Sequence, residues 1–201
     1  MIITGVLIEE QDSDKLKRQG IKDSKLLTHK KRIELYKKIK KIAKKIETIK
    51  IEPKEIDEAL ESDTLNLNWL EAQKSAEIIN KLSPDKAILD CPSPNKEKYK
   101  DYVKNLLKDK AIELLVEHKA DVRFPACSAA GIVAKCIREE EVEKLKKKYG
   151  NFGPGYTSNP ITQNFLKENW EKYPEIFRKT WISWKNHKNA KDQKKLGEFE
   201  K

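Results

Sequence analysis

Two aspartates close short apolar runs. Asp90 follows Ala87, Ile88 and Leu89, and Asp121 comes a few residues after the run at 111–116. Strand ends are where open α/β sheets gather their ligands, and a pair of carboxylates there supplies the oxygen donors that Mg²⁺ or Mn²⁺ prefer. In a basic chain such a pair points to metal-assisted phosphodiester hydrolysis, in which the ion activates water and neutralises the departing oxyanion. One such aspartate alone more often just ends a strand or caps a turn; two at equivalent positions weaken that reading. They remain a thin set for a two-metal site. Lys25 (after Asp23 and Ser24), Lys119 and Arg138 are candidate phosphate contacts, although a single lysine in so basic a chain is more often solvated surface. His118 is a candidate for proton transfer or for holding a metal-binding group in place, with a satisfied strand-end histidine the equal alternative. Tyr156, on the hinge Gly153-Pro154-Gly155, is a candidate stacking platform, set against a core-anchoring tyrosine. Trp181 and Trp184 share one helical face and read as core.

The elements that must position these groups alternate. Residues 1–8 and 86–90 read as strands, as does 111–116, and residues 49 and 51 alternate with polar neighbours as a further one. Thr28 caps a helix with Ile33, Tyr36, Ile39, Ile42, Ala43 and Ile46 inward and lysine outward. Pro53 opens a short acidic helix, residues 64–82 form a longer one, and 99–107 another. Residues 127–135 are almost all small or β-branched, so their helix can lie close to a sheet. It runs to Gly150, a left-handed stop, and Asn159 with Pro160 restarts the helical pattern as N-cap and first-turn proline. Beyond Ile161 only helices are expected, with Phe165, Trp170 and Phe177 as apolar contacts. The pattern is α/β, divided into residues 1–150 and a helical appendage at 151–201.

Forty-three Lys and Arg against 33 Asp and Glu leave a net charge of +10 on 201 residues, a balance that suits a polyanionic partner. Lysine-rich helical faces also occur as plain solvated surface, so charge alone does not decide. Cys91, Cys127 and Cys136 lack metal-ligand spacing and read as reduced thiols. With no signal peptide and no apolar stretch near 18 residues, a cytoplasmic location and no membrane partner are expected.

At this point several stretches resemble ribonuclease HII, the type 2 ribonuclease H of archaea and bacteria. They are IKDSKLLTHKKR (21–32), DTLN (63–66), AILD (87–90), EHKADVRFPACSAAGIVAK (117–135), GPGYTSNP (153–160) and FRKTWISWK (177–185), in the family's order and spacing. The resemblance implies a ribonuclease H-like mixed sheet flanked by helices, with a C-terminal helical subdomain. It implies cleavage of RNA within RNA/DNA hybrids and 5′ of a ribonucleotide embedded in duplex DNA, with Mg²⁺ or Mn²⁺ as cofactor. Asp90 and Asp121 match the third and fourth metal-binding catalytic aspartates. Tyr156 matches the tyrosine near the junction sugar, and Lys25 the lysine of the DSK motif. Ser24, Asn66, His118, Lys119 and Arg138 complete the expected nucleic-acid contacts. A sliding clamp is a candidate partner, and a monomer is expected.

The family opens with a strand carrying Asp-Glu-Ala-Gly-Arg-Gly, which supplies two further carboxylates and reads the 2′-hydroxyl. That motif is absent here, and Met1 falls just after its place, so the first central strand is expected to be missing. Glu9 and Glu10 are poor substitutes. Usual PSDP after the tyrosine is replaced by Thr157-Ser158-Asn159-Pro160, which keeps the helix cap. The expectation is a ribonuclease HII whose complete form is active and which alone shows no ribonucleotide-specific nicking. The alternative is a catalytically dead hybrid-binding or interaction protein derived from the same fold. A basic transcription-factor-like domain has no helix-turn-helix signature behind it.

Overall fold

The computed structural model describes residues 1–21 and 27–199, with side chains to Lys191. Ser24 and Lys25 therefore lie outside the described residues. The described parts of Met1–Ile51 and Asn66–Arg138 form one compact unit, and those of Glu52–Leu65 and Glu139–Lys201 a second.

In the first unit, β1 (Ile2–Leu7) pairs antiparallel with β2 (Lys45–Lys50), from Ile2 opposite Lys50 to Leu7 opposite Lys45. Between them run α1 (Ser13–Arg18) and α2 (His29–Ile42). Thr28 caps α2 as expected, its hydroxyl accepting from Lys31 N at 3.3 Å. The inward face differs from the sequence reading. Leu35 is fully buried while Ile33 is 40% exposed, and α2 stops at Ile42, so that Ile46 falls on β2. Ile33 and Leu35 are both apolar, and local spacing cannot choose between two overlapping stripes. Packing chose Leu35 and Ile39, which join Leu16, Ala129, Ile132 and Val133 in one cluster.

The second strand pair is parallel, as a crossover helix requires. β3 (Lys86–Asp90) is followed by α5 (Lys96–Leu106) and then β4 (Glu113–Glu117), with Asp90 opposite Glu117. Asn95 caps α5 by accepting from Lys98 N at 3.0 Å. Helix α4 (Leu67–Leu82), capped by Asn66, packs on α5 and on β1 and β2. Its approach to β1 is possible because residue 5 is glycine: a Cβ there would stand 2.4 Å from Ile78 Cγ2. Val6, on the opposite face of β1, packs on the cluster of α1, α2 and α7 (Pro125–Tyr149), so β1 is covered on both faces. Tyr99, Val103, Leu114, Val116, Ala76 and Ile79 form a second cluster between α4, α5 and the β3–β4 pair. Among the described residues each strand pair is its own two-stranded sheet.

The second unit is helical: α3 (Pro53–Glu61), the C-terminal turns of α7, α8 (Pro160–Asn169) and α9 (Ile182–Phe199). Asn159 caps α8 through Ile161 N and Thr162 N. Trp170 meets Trp184 edge-on and Phe165 meets Phe177, so these four expected apolar contacts pack in two pairs. Trp181 departs from the expected core role; it is 38% exposed, with the Arg178 guanidinium 4.5 Å from its ring centre. No helix among the described residues is long and apolar enough to cross a membrane.

Candidate active site

β3 and β4 run side by side and end together, so the chain leaves both at one edge. Asp90 is the last residue of β3. Past β4, residues 118 and 119 turn the chain into a helix the sequence did not announce, α6 (Ala120–Arg123), with Asp121 in its first turn. The two candidate carboxylates are joined through the backbone: Ala120 N donates to Asp90 Oδ1 at 3.0 Å, one residue before Asp121. The His118 ring closes the other side of the turn, with Nδ1 3.3 Å from Cys91 O. Asp90, His118, Lys119 and Asp121 are thus gathered at one strand edge.

The environments of the two aspartates differ. Asp90 is exposed, whereas Asp121 is buried beside a cavity of about 140 Å³ whose wall includes Lys17, Ile21, Arg123 and Ser128. Two neighbours escaped the sequence reading. Glu117, opposite Asp90 in the parallel register, is held by Lys96 and Arg123, each at 3.4 Å. Cys127 donates its thiol to Ile88 O at 3.3 Å. Burial, with the charges of Asp90 and Asp121 adding, pushes that thiol up to about 12. A carboxylate closing a strand was a visible signal for Glu117; for Cys127 the position two residues into α7 showed nothing.

Other expected contacts lie elsewhere in the chain. Asn66 uses its side-chain oxygen to cap α4, accepting from Trp69 N at 3.1 Å. Arg138 is on α7, half-buried. Tyr156 belongs to the second unit and is 53% exposed. Its hinge needs glycine at 153, where φ is +69° and a Cβ would stand 3.0 Å from Asn159 Oδ1.

Two carboxylates at one edge suit a hard divalent cation by donor type. Among the described residues no group of three His, Cys, Asp or Glu side chains is placed to hold a metal. Two carboxylates would make up only part of such an ion's coordination shell, the rest falling to water, phosphate oxygens or further carboxylates.

In fold the chain is a ribonuclease H. A ribonuclease HIII crystallised with Mn²⁺ superposes with a TM-score of 0.69 at 16% identity, over 94% of this chain and 64% of its own, a likeness of fold alone. At higher identity stand the ribonuclease H2 of Pyrococcus horikoshii OT3 (TM-score 0.82, 33% identical, 94% of this chain and 98% of that one) and the Archaeoglobus fulgidus ribonuclease HII solved in complex with PCNA (0.78, 36%, 92% and 86%). The family model for Ribonuclease HII matches residues 1–186, and the ribonuclease HII of Pyrococcus furiosus is 37% identical over 90% of this chain and 81% of its own. The chain belongs to the ribonuclease HII family, that of the type 2 ribonucleases H, which are phosphodiester endonucleases.

Proposed function

We propose that this protein cleaves RNA within RNA/DNA hybrids, and 5′ of ribonucleotides embedded in duplex DNA, by divalent-metal-assisted hydrolysis at Asp90 and Asp121. The observation that carries this reading is the bond from Ala120 N to Asp90 Oδ1, which ties Asp90 to the residue just before Asp121, 31 positions further along the chain. Mg²⁺ or Mn²⁺ is the proposed cofactor, in keeping with the donor type and with the Mn²⁺ held by the related ribonuclease HIII. When bound, such an ion activates water and stabilises the leaving oxyanion. The chain's own residues hold and orient. Asp90 and Asp121 give the oxygens; Ser24, Lys25, Asn66, His118, Lys119 and Arg138 meet the duplex, and Tyr156 stacks near the sugar. A sliding clamp is the proposed protein partner, in keeping with the PCNA complex of the Archaeoglobus relative. The protein is proposed to act as a monomer in the cytoplasm.

The test is incision of a duplex containing one ribonucleotide, by residues 1–201 alone and with a peptide carrying Asp-Glu-Ala-Gly-Arg-Gly. Two carboxylates alone bind metal weakly, so nicking is expected with the peptide and not without it. In the nicking mixture, Asp121→Asn keeps shape and removes charge, so cleavage should vanish while duplex binding stays within a few-fold. Unchanged turnover would remove Asp121 from the site. Specific incision by the chain alone would show that the shell is completed from within, with Glu9, paired to Lys44, and Glu10 the first residues to mutate.

A further inference from the structure

The turn between β4 and α6 has an unusual backbone. Lys119 has φ 56° and ψ 38°, in the left-handed region. Among the described non-glycine residues only Ser83 shares a positive φ, and Ser83 is the C-cap of α4, where a left-handed residue is ordinary. Lys119 is instead an N-cap, a position that normally takes extended backbone and a short polar side chain. Lysine has neither the freedom of glycine nor a short polar group to offset the contact between Cβ and carbonyl.

Such a conformation persists only where its surroundings over-determine it. Here both flanks are tied to the end of β3. The His118 ring lies 3.3 Å from Cys91 O, and Ala120 N donates to Asp90 Oδ1 at 3.0 Å. The Lys119 side chain makes no capping bond to α6, so Asp90 takes that task from the neighbouring strand. With residue 119 extended, the Ala120 amide would swing away from Asp90 and carry Asp121 with it.

We propose that the left-handed turn at Lys119, latched to β3 through Asp90, is the element that positions Asp121, with Lys119 acting through its backbone as well as its charge. The consequence for metal rests on the function proposed above; the geometric statement does not. Two readouts separate them. One is hydrogen-exchange protection and chemical shift of the Ala120 amide, which needs no metal, and the other is Mn²⁺ affinity by titration calorimetry.

Lys119→Gly should keep the Ala120 amide protected, hold Mn²⁺ affinity within about twofold, and raise Tm by about 2–4 °C through relief of strain. Lys119→Val should lose the protection and weaken Mn²⁺ binding about tenfold or more, with Lys119→Ala between them and serving if the valine variant does not fold. Asp90→Asn, which retains an acceptor for Ala120 N, should keep the amide protected, whereas Asp90→Ala should not. Equal Ala120 protection in the glycine, alanine and valine variants would overturn the proposal. Protection that follows the expected order while Mn²⁺ affinity stays flat would uphold the turn and overturn the metal role of Asp121.

Discussion

Asp57, on α3, is the residue whose removal should cost the second unit most. The residue is 8% exposed, and its carboxylate accepts three hydrogen bonds from residues 122 and 123 positions away: Lys179 N at 2.8 Å, Thr180 N at 3.0 Å and the Thr180 hydroxyl at 2.6 Å. Asp57→Ala deletes all three and leaves two backbone amides without their acceptor. Hydrogen bonds to a charged group contribute about 1.5–3 kcal/mol each and are not additive, and the hydroxyl can turn to water, so the net loss should be about 3 kcal/mol. For a chain of this size that corresponds to a fall in Tm of roughly 6–12 °C. Asp57→Asn keeps one oxygen acceptor but turns an NH₂ toward the other donors, and should lose about half as much. Thermal unfolding followed by tryptophan fluorescence measures the loss, and amide exchange at Lys179 and Thr180 localises it. A loss below about 1 kcal/mol, or unchanged exchange at those two amides, would refute the reasoning.

The remaining predictions concern packing, titration and charge. Gly5→Ala places a methyl 2.4 Å from Ile78 Cγ2 and 2.8 Å from Leu82 Cδ1, and should destabilise by about 1–3 kcal/mol in urea unfolding. Cys127, with its thiol pushed up to about 12 from 9.0, should resist alkylation at pH 8 in the native state and react once unfolded. Because the folded state holds the neutral thiol, stability is unaffected below pH 9 and falls as pH rises from 9 toward 12. Cys127→Ala should flatten that part of the profile in pH-dependent unfolding. On α2, Glu34 pairs with Lys31 at 2.9 Å and Lys38 at 3.1 Å. Glu34→Gln should therefore tighten duplex binding at low salt, and each lysine of this face that meets a phosphate and is changed to Gln should reduce the salt slope by about 0.9.

Much of the candidate site could be read from the chain because it rests on local rules. Apolar runs of strand length placed Asp90 at the end of a strand and Asp121 just past the end of another, and the order of motifs from residue 21 to 185 carried the family. Thr28 and the Asn159-Pro160 pair announced their helices because a cap acts within three residues of itself. Gly150 and Gly153 marked their turns because a positive φ belongs to single residues.

What could not be read depended on partners far along the chain. Asp57 is one of 33 acidic residues and looks like any other in an acidic helix, because its donors lie beyond residue 178. Leu35 rather than Ile33 turned inward only once α1 and α7 supplied the surface to meet it. The latch between Asp90 and Ala120 exists because β3 and β4 end side by side, a fact of strand register with no trace in either segment alone. Residue types and local spacing thus singled out the candidate groups; the parallel pairing of two short strands, and the left-handed turn at Lys119, decided that Asp90 lies against the backbone that leads into Asp121.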